Sequence, residues 1–322
     1  MTLSVLLIII LFSLGAMAYV YGYRGTTRYD NLSEYVRKGW AISAPLNCLL
    51  YLFTQKRGRK PIQDLNEFQE LEIIKANWQM IRDEGCALLE QGTFETLNQP
   101  GAVAYYDVGF RTFHKYGWRK FYLTWYGYHH KSARQLCPKT QQLLGGLKFI
   151  NGAMFTVIAP HSQLSRHSDP VACSLRYHLG LATPNSDQCF INVDGQSYSW
   201  RDGEALLFDE TYIHYVLNDT DQSRLVLMCD VERPMNLFGR AINVFYKALI
   251  GQTVVPNTAQ DKAGLVNRVF RGLVPALAKS KALKKINPFA YRVLKYSVNS
   301  SLLLMLLGIT VGLITLTGRV VF

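Results

Sequence analysis

His167 and Asp169 stand two positions apart in Arg166-His167-Ser168-Asp169-Pro170, and His214 closes the run Phe208-Asp209-Glu210-Thr211-Tyr212-Ile213-His214. In an extended segment, residues two apart project from one face, so His167 and Asp169 can bind one ion together. His214 lies beyond two predicted turns, where an antiparallel strand could return beside the first pair. Two imidazoles and one carboxylate on one side of a metal form the facial triad of non-haem Fe(II), leaving octahedral positions open for a bidentate 2-oxo acid and O₂. A hydrolytic zinc site could use the same residues. Arg224 follows His214 by ten residues, on the next predicted strand. Its planar fork suits the far carboxylate of 2-oxoglutarate. Arg176 and His178 alternate on one face of another segment. The plain reading of Arg176, His178 and Arg224 is a barrel wall paired with acids such as Asp230 or Glu232; it fits Arg224 least.

The other histidines carry weaker signals. His129-His130, beside Trp125 and Tyr128, reads as a surface or interface pair with no carboxylate placed nearby. His161 precedes His167 in the same loop and is the rival best able to imitate a ligand. His114 carries no functional signal. Six cysteines are scattered without a C-x-x-C pair, which makes neither a zinc framework nor a disulfide scaffold. Small buried thiols in a reducing compartment fit better.

Such residues need rigid strands to position them. Phe121–Tyr126 and Met154–Ile158 are aromatic and β-prone. Gln188–Val193 meets Asp194-Gly195, a strong hairpin signal, and returns through Gln196–Trp200. Asp202-Gly203 turns the chain into Ala205–Phe208, and Ser223–Val231 is a last apolar strand closed by Pro234. Short strands at this spacing predict a mainly β sandwich or jelly roll, not a doubly wound sheet. Before them, residues 67–92 read as one helix, with Phe68, Leu71, Ile74, Trp78, Ile81 and Leu88 at helical spacing and Gly92 as its stop.

Both ends are apolar. Residues 3–23 and 296–318 contain no charged side chain, and each run is long enough to cross a hydrocarbon core of roughly 30 Å. A cleaved signal peptide competes for the first run through Ala16-Met17-Ala18. Its charge order is wrong for that, because no basic residue precedes the run while Arg24 and Arg28 follow it. Residues 24–60 hold eight Lys/Arg against two acids, and residues 236–322 hold twelve against one. Positive charge flanking the inner edge of both runs predicts a cytoplasmic middle, with arms that can meet anionic head groups. Nucleic acid is excluded as the partner, since it does not explain basic arms beside apolar spans. The expected organisation is an N-terminal anchor over 1–23 and a basic juxtamembrane and interfacial segment over 24–66. The chemistry domain follows over 67–235, then a basic helical arm over 236–295 and a C-terminal anchor over 296–318. Within the second segment, residues 41–53 are too short to span and read as interfacial, re-entrant or core.

Together with Ser174–Leu181 and Trp200-Arg201-Asp202-Gly203-Glu204, the His167 and His214 segments resemble the aspartyl/asparaginyl β-hydroxylase family. Trp118–Tyr126 and Cys137-Pro138-Lys139-Thr140 resemble its upstream elements. Apolar runs at both ends and the run Tyr177–Asn185 bring the sequence nearest the bacterial lipid A 2-hydroxylases. The resemblance implies a double-stranded β-helix with Fe(II), and 2-oxoglutarate and O₂ as co-substrates. It makes His167 and His214 iron ligands and Arg176, His178, Arg224 and Thr156 co-substrate contacts. Animal peptide hydroxylases of the family lack the carboxylate that Asp169 supplies here. That departure favours a conventional triad, turns the reading from peptide substrates and argues against halogenation. The implied reaction is hydroxylation of a lipid A acyl chain at C2, at the cytoplasmic face of a bacterial inner membrane. The alternatives are hydroxylation of Asp, Asn or Arg side chains in membrane-proximal peptides, or a non-catalytic lipid-binding barrel.

Overall fold

The computed structural model describes residues 2–301 except 111, 112, 171 and 299. The described residues fall into two units: 14–268, and 2–13 with 269–301. The expected C-terminal span lies outside the described residues from position 302 onward. Helix α1, Thr2–Gly22, contains the 19-residue stretch Ser4–Gly22 with a mean hydropathy of 2.3. Among the described residues it is the one helix long and apolar enough to cross a membrane.

In the larger unit the chain leaves α1 through Gly25, whose φ of +79° a side chain would rarely adopt. Helix α2, Leu32–Lys38, starts where the Asn31 side chain accepts the Glu34 N–H. Helix α3, Ala44–Phe53, buries Ala44, Asn47 and Leu50 and exposes Leu52. Residues 41–53 therefore belong partly to the core and partly to the surface. The single helix expected over 67–92 is divided into tight turns followed by α4, Glu72–Ala76, and α5, Trp78–Glu90. Asn77 causes the break: its side chain donates to the Ile73 carbonyl at 2.8 Å, and its own N–H turns back to Ile74. Gly92 ends the segment at φ +66°, where a glycine stop is expected. Helix α6 is Thr93–Leu97.

Strands β1, Trp118–Trp125, and β2, Tyr128–His129, come next, then helices α7, Lys131–Leu136, and α8, Pro138–Gly145. Eight strands follow: β3 Ile150–Ile158, β4 Ser162–His167, β5 Ser174–Ala182, β6 Cys189–Val193, β7 Gln196–Ser199, β8 Ala205–Phe208, β9 His214–Asn218 and β10 Arg224–Glu232. They form two antiparallel sheets, ordered β2-β1-β3-β10-β5-β8 and β4-β9-β6-β7. From β3 to β6 the chain crosses between sheets at every step. Asp194-Gly195 makes the expected tight hairpin between β6 and β7, both residues at positive φ. Helix α9, Leu237–Ile250, comes next, and Val254 and Val255 after it join the core of the larger unit. Helix α10, Leu265–Ile286, starts in the larger unit, continues into the smaller one from position 269 and carries Pro275 inside it; a further helix covers 288–298.

Period-two alternation decides which residues reach the site. On β10, Leu225, Leu227, Cys229 and Val231 join the cluster that also holds Ile81 and Leu88 of α5 and Leu144 of α8. The alternate residues Val226 and Met228 enter a second cluster, with Ile191, Val193 and Val216 of the other sheet. Strand β5 divides likewise: Leu175, Tyr177 and Leu179 face the helices, so Arg176 and His178 face the inter-sheet space. Each such buried side chain contributes roughly 1.5–3 kcal/mol, which fixes the register against a one-residue slip.

Candidate metal centre and its groove

Strands β4 and β9 pair so that His167 and His214 are direct cross-strand partners, with ring centroids 4.3 Å apart. Asp169 lies just beyond β4, its backbone N–H donating to the Glu210 carbonyl at 2.8 Å. One ligand atom from each of His167, Asp169 and His214 lies within 4.8 Å of the others. Nδ1 of His167 lies 2.7 Å from the Ser165 carbonyl, and Nδ1 of His214 lies 2.9 Å from the Tyr212 carbonyl. A carbonyl only accepts, so both Nδ1 atoms carry the proton and each Nε2 is left with its lone pair for a cation. Burial, with the His167 ring beside it, pushes His214 down to about 3 and keeps it neutral, as a ligand must be. Burial works to raise the Asp169 carboxyl, but Arg176 and the two histidines hold it below its ordinary value. The donor set therefore fits a divalent metal.

Arg176 sits behind this centre. Its Nη1 donates to Asp169 at 2.9 Å, its Nε to Asp230 at 3.0 Å, and its Nη2 pairs with Glu210. Its side chain is thus shared among three carboxylates, one of them the expected ligand. Burial, added to Asp230 and Asp169, pushes Glu210 well above its usual range in spite of Arg176.

The space between the sheets next to the triad is a small cavity of about 40 Å³, lined by Thr156, Arg176, His178, Arg224 and the triad itself. Arg224 is 2% exposed and pairs with no carboxylate among the described residues; its guanidinium lies 4.3 Å from the Trp200 ring centre. Burial lowers it to about 10. Its Nε, both ring nitrogens of His178 and the Trp200 Nε1 have no hydrogen-bond partner among the described residues. A buried cation beside orphaned donors is costly unless a polar anion completes it. These residues fit a dicarboxylic co-substrate.

A second, wider groove of about 440 Å³ opens onto His167 and Asp169. Phe110, Phe113, Tyr116 and Trp125 wall it, and Arg37, Lys38, Trp40 and Arg166 stand at its border.

One contributor escaped sequence reasoning. Arg24 belongs to the basic edge expected to face head groups, yet its side chain is 6% exposed. It donates to Asp209 at 2.9 Å and lies over the rings of Tyr51 and Tyr212, 4.1 and 3.6 Å from their centres. Asp209 also pairs with Arg233 at 2.9 Å and accepts from Thr211. Burial raises the Asp209 carboxyl, but Arg233 and Arg24 outweigh it and bring it to about 2. Nearby, the Thr26 and Thr27 N–H groups donate to Asp194, and Tyr29 bonds Ser168. Residues 24–38 are thus built into the loops that carry the triad. In the sequence, the acidic pair Asp209-Glu210 beside His214 is the signal that could have pointed to such a partner.

The remaining histidines lie apart from the triad. His161 is exposed and pairs with Asp219 and Asp221. His130 is buried, bonded to the Val255 carbonyl and stacked on Tyr122. His129 contacts Gln141, and His114 stacks on Tyr105. All six cysteines are free.

A model of the aspartyl/asparaginyl beta-hydroxylase family matches residues 75–234, about half the chain. The ornithine lipid ester-linked acyl 2-hydroxylase of Rhizobium tropici is 29% identical over 228 residues, covering 69% of this chain and 78% of that protein. The human aspartyl/asparaginyl beta-hydroxylase is 30% identical over 171 residues, covering 51% of this chain but only 21% of its own length. Among solved structures, a 2OG-Fe(II) oxygenase family oxidoreductase from Burkholderia pseudomallei covers 37% of this chain and 69% of its own at 13% identity, with a TM-score of 0.27. The chain belongs to the aspartyl/asparaginyl beta-hydroxylase family and is a hydroxylase.

Proposed function

We propose that this enzyme hydroxylates C2 of an acyl chain on a polar membrane lipid, using Fe(II), 2-oxoglutarate and O₂. The observation that carries this reading is an apolar groove with basic residues at its border, ending on His167 and Asp169. The ornithine lipid acyl 2-hydroxylase relative supports it. The winding of β3–β10 between two sheets supports naming the fold a double-stranded β-helix.

His167, Asp169 and His214 would hold the iron. Iron and 2-oxoglutarate, when bound, supply the oxidising power for an unactivated C–H bond. Arg224 would pair with the far carboxylate of the co-substrate inside the cavity, with Thr156 and His178 beside it. Arg176 takes a different role from co-substrate contact. By donating to Asp169 it fixes the carboxylate's orientation, and it compensates Glu210 and Asp230 behind it. The aromatic wall of the groove would seat the alkyl chain and exclude water, while Arg37 would meet an anionic head group.

We place the enzyme at a bacterial inner membrane with its catalytic unit cytoplasmic, from the basic residues that follow α1. Lipid A, phospholipid and ornithine lipid all present the required acyl chain. Expression in a bacterium lacking 2-hydroxy acyl lipids, followed by mass spectrometry of each lipid class, tests the reading. One class should gain one oxygen atom per molecule with the native chain and none with His214→Ala. If no lipid changes while the purified protein hydroxylates an Asp- or Asn-containing peptide, the lipid reading is wrong.

A further inference from the structure

Helix α9 is turned inside out for a helix on a water-facing domain. It directs Gly239, Asn243 and Tyr246 inward, and Asn243 is fixed by bonds to the Cys173 carbonyl at 3.1 Å and Glu232 at 2.9 Å. Its apolar residues point outward: Leu237 is 77% exposed, Phe238 71%, Val244 65% and Phe245 67%. An isolated exposed leucine is ordinary, but a whole helical face of this kind marks a surface that something covers. The face continues onto α3, which packs against α9 through Phe53 and Phe238, their rings 6.2 Å apart. Ile42, just before α3, and Leu52 on it are 75% and 67% exposed. On its other side α3 meets α1, where the Cys48 thiol reaches the Ala16 carbonyl.

Two features identify what covers this face. Its α3 edge touches Ala16 of α1, the helix long and apolar enough to cross a bilayer. It also reaches the groove: Ile250, the last residue of α9, lines the groove together with Trp40, Arg37 and Lys38. Trp40 is half exposed, an amphipathic ring of the kind that favours head-group depth, and Arg37 forms no ion pair among the described residues.

We propose that the outer faces of α9 and α3 form a platform that sinks into the interfacial layer of an anionic bilayer and sets the groove mouth at head-group level. An amphipathic helix lies in the membrane plane for the same reason, with its apolar face in the acyl boundary and cations at the phosphates. This deepens the acyl-lipid reading and, for delivery of substrate, rests on it: a lipid can slide its chain sideways into the groove without leaving the bilayer.

The test uses the full chain in vesicles of phosphatidylcholine and phosphatidylglycerol. Phe245→Trp, in vesicles whose lipids carry bromine on the upper acyl carbons, should add a quenched indole signal absent from the native chain. If the added indole fluoresces unquenched, the platform is overturned whatever the enzyme's substrate. The pair Leu237→Ser and Phe245→Ser should lower turnover of vesicle lipid by about tenfold or more, since each loses the transfer of a large apolar group, while turnover of the same lipid in detergent micelles is unchanged. Equal rates in vesicles overturn the platform. Absence of turnover by the native chain in both media, with the added indole quenched, sinks the substrate reading and leaves the platform standing. If the native chain is a dimer in detergent and the Ser pair a monomer, the face joins two copies and the platform is overturned.

Discussion

A carboxylate that is to ligate a metal must point its lone pair in a fixed direction, and the Arg176 guanidinium fixes that of Asp169, the proposed ligand. Arg176 serves Asp169, Glu210 and Asp230 together. Arg176→Met should therefore leave buried carboxylates uncompensated and destabilise the fold by about 3–5 kcal/mol in denaturant titration, with iron retention falling as well. Asp169→Ala should lower iron retention and activity while the fold persists, because it removes the anionic ligand; full iron content after dialysis would refute the triad. Arg224→Ala should raise the 2-oxoglutarate requirement about ten- to a hundredfold, the worth of a charge-assisted contact of roughly 1.5–3 kcal/mol. An unchanged co-substrate KM would make Arg224 a wall residue. That His167 and His214 meet was legible in the sequence, because turn chemistry returns β9 beside β4; Asp169 lies just beyond the strand whose two-residue period was used to place it. Arg176 was ambiguous, since its acids come from three separate segments and no local pattern shows that they converge on one side chain.

Strands and hairpins with strong turn signals were readable, as at Asp194-Gly195 and Asp202-Gly203. Helix α5 was readable by periodicity, but the break at Asn77 was not, because a side chain bonding its own backbone leaves the apolar spacing intact. Nor could the sequence reveal why Gly180 is a glycine in the middle of β5. A Cβ there would lie 2.0 Å from the Arg201 carbonyl oxygen, so the turn before β8 rests directly on the strand. Gly180→Ala should cost about 1–3 kcal/mol by overpacking, measured as a lower urea midpoint. It should also disturb Trp200, the ring that Arg224 stacks on. An unaltered midpoint would mean that the turn moves freely.

Across the whole molecule, the segment leaving the apolar helix is part of the catalytic unit, which charge counting alone could not show. The Asp209 cluster makes this testable by pH. Its folded value of about 2 lies below the ordinary 3.8, so its stabilisation is complete above about pH 4 and is lost as pH falls through about 2. That amounts to roughly 2 kcal/mol, and Asp209→Asn should flatten the acid limb of the stability curve by that amount. Removing residues 1–22 should leave iron binding intact, whereas a chain beginning at residue 67 should lose it together with Arg24 and Tyr29.

The same ties set an order of events during synthesis. Arg24 waits for a partner 185 residues later, and Thr26 for one 168 residues later. The apolar helix and the turn after it leave the ribosome before β6 to β9, so a membrane could capture the helix long before those strands exist. Contacts so distant along the chain close slowly, and the metal-bearing loops have nothing to lock against until they do. On the proposed reading, the newly made chain would meet the membrane first and complete its metal site last, so its unfinished state would be held at the bilayer surface.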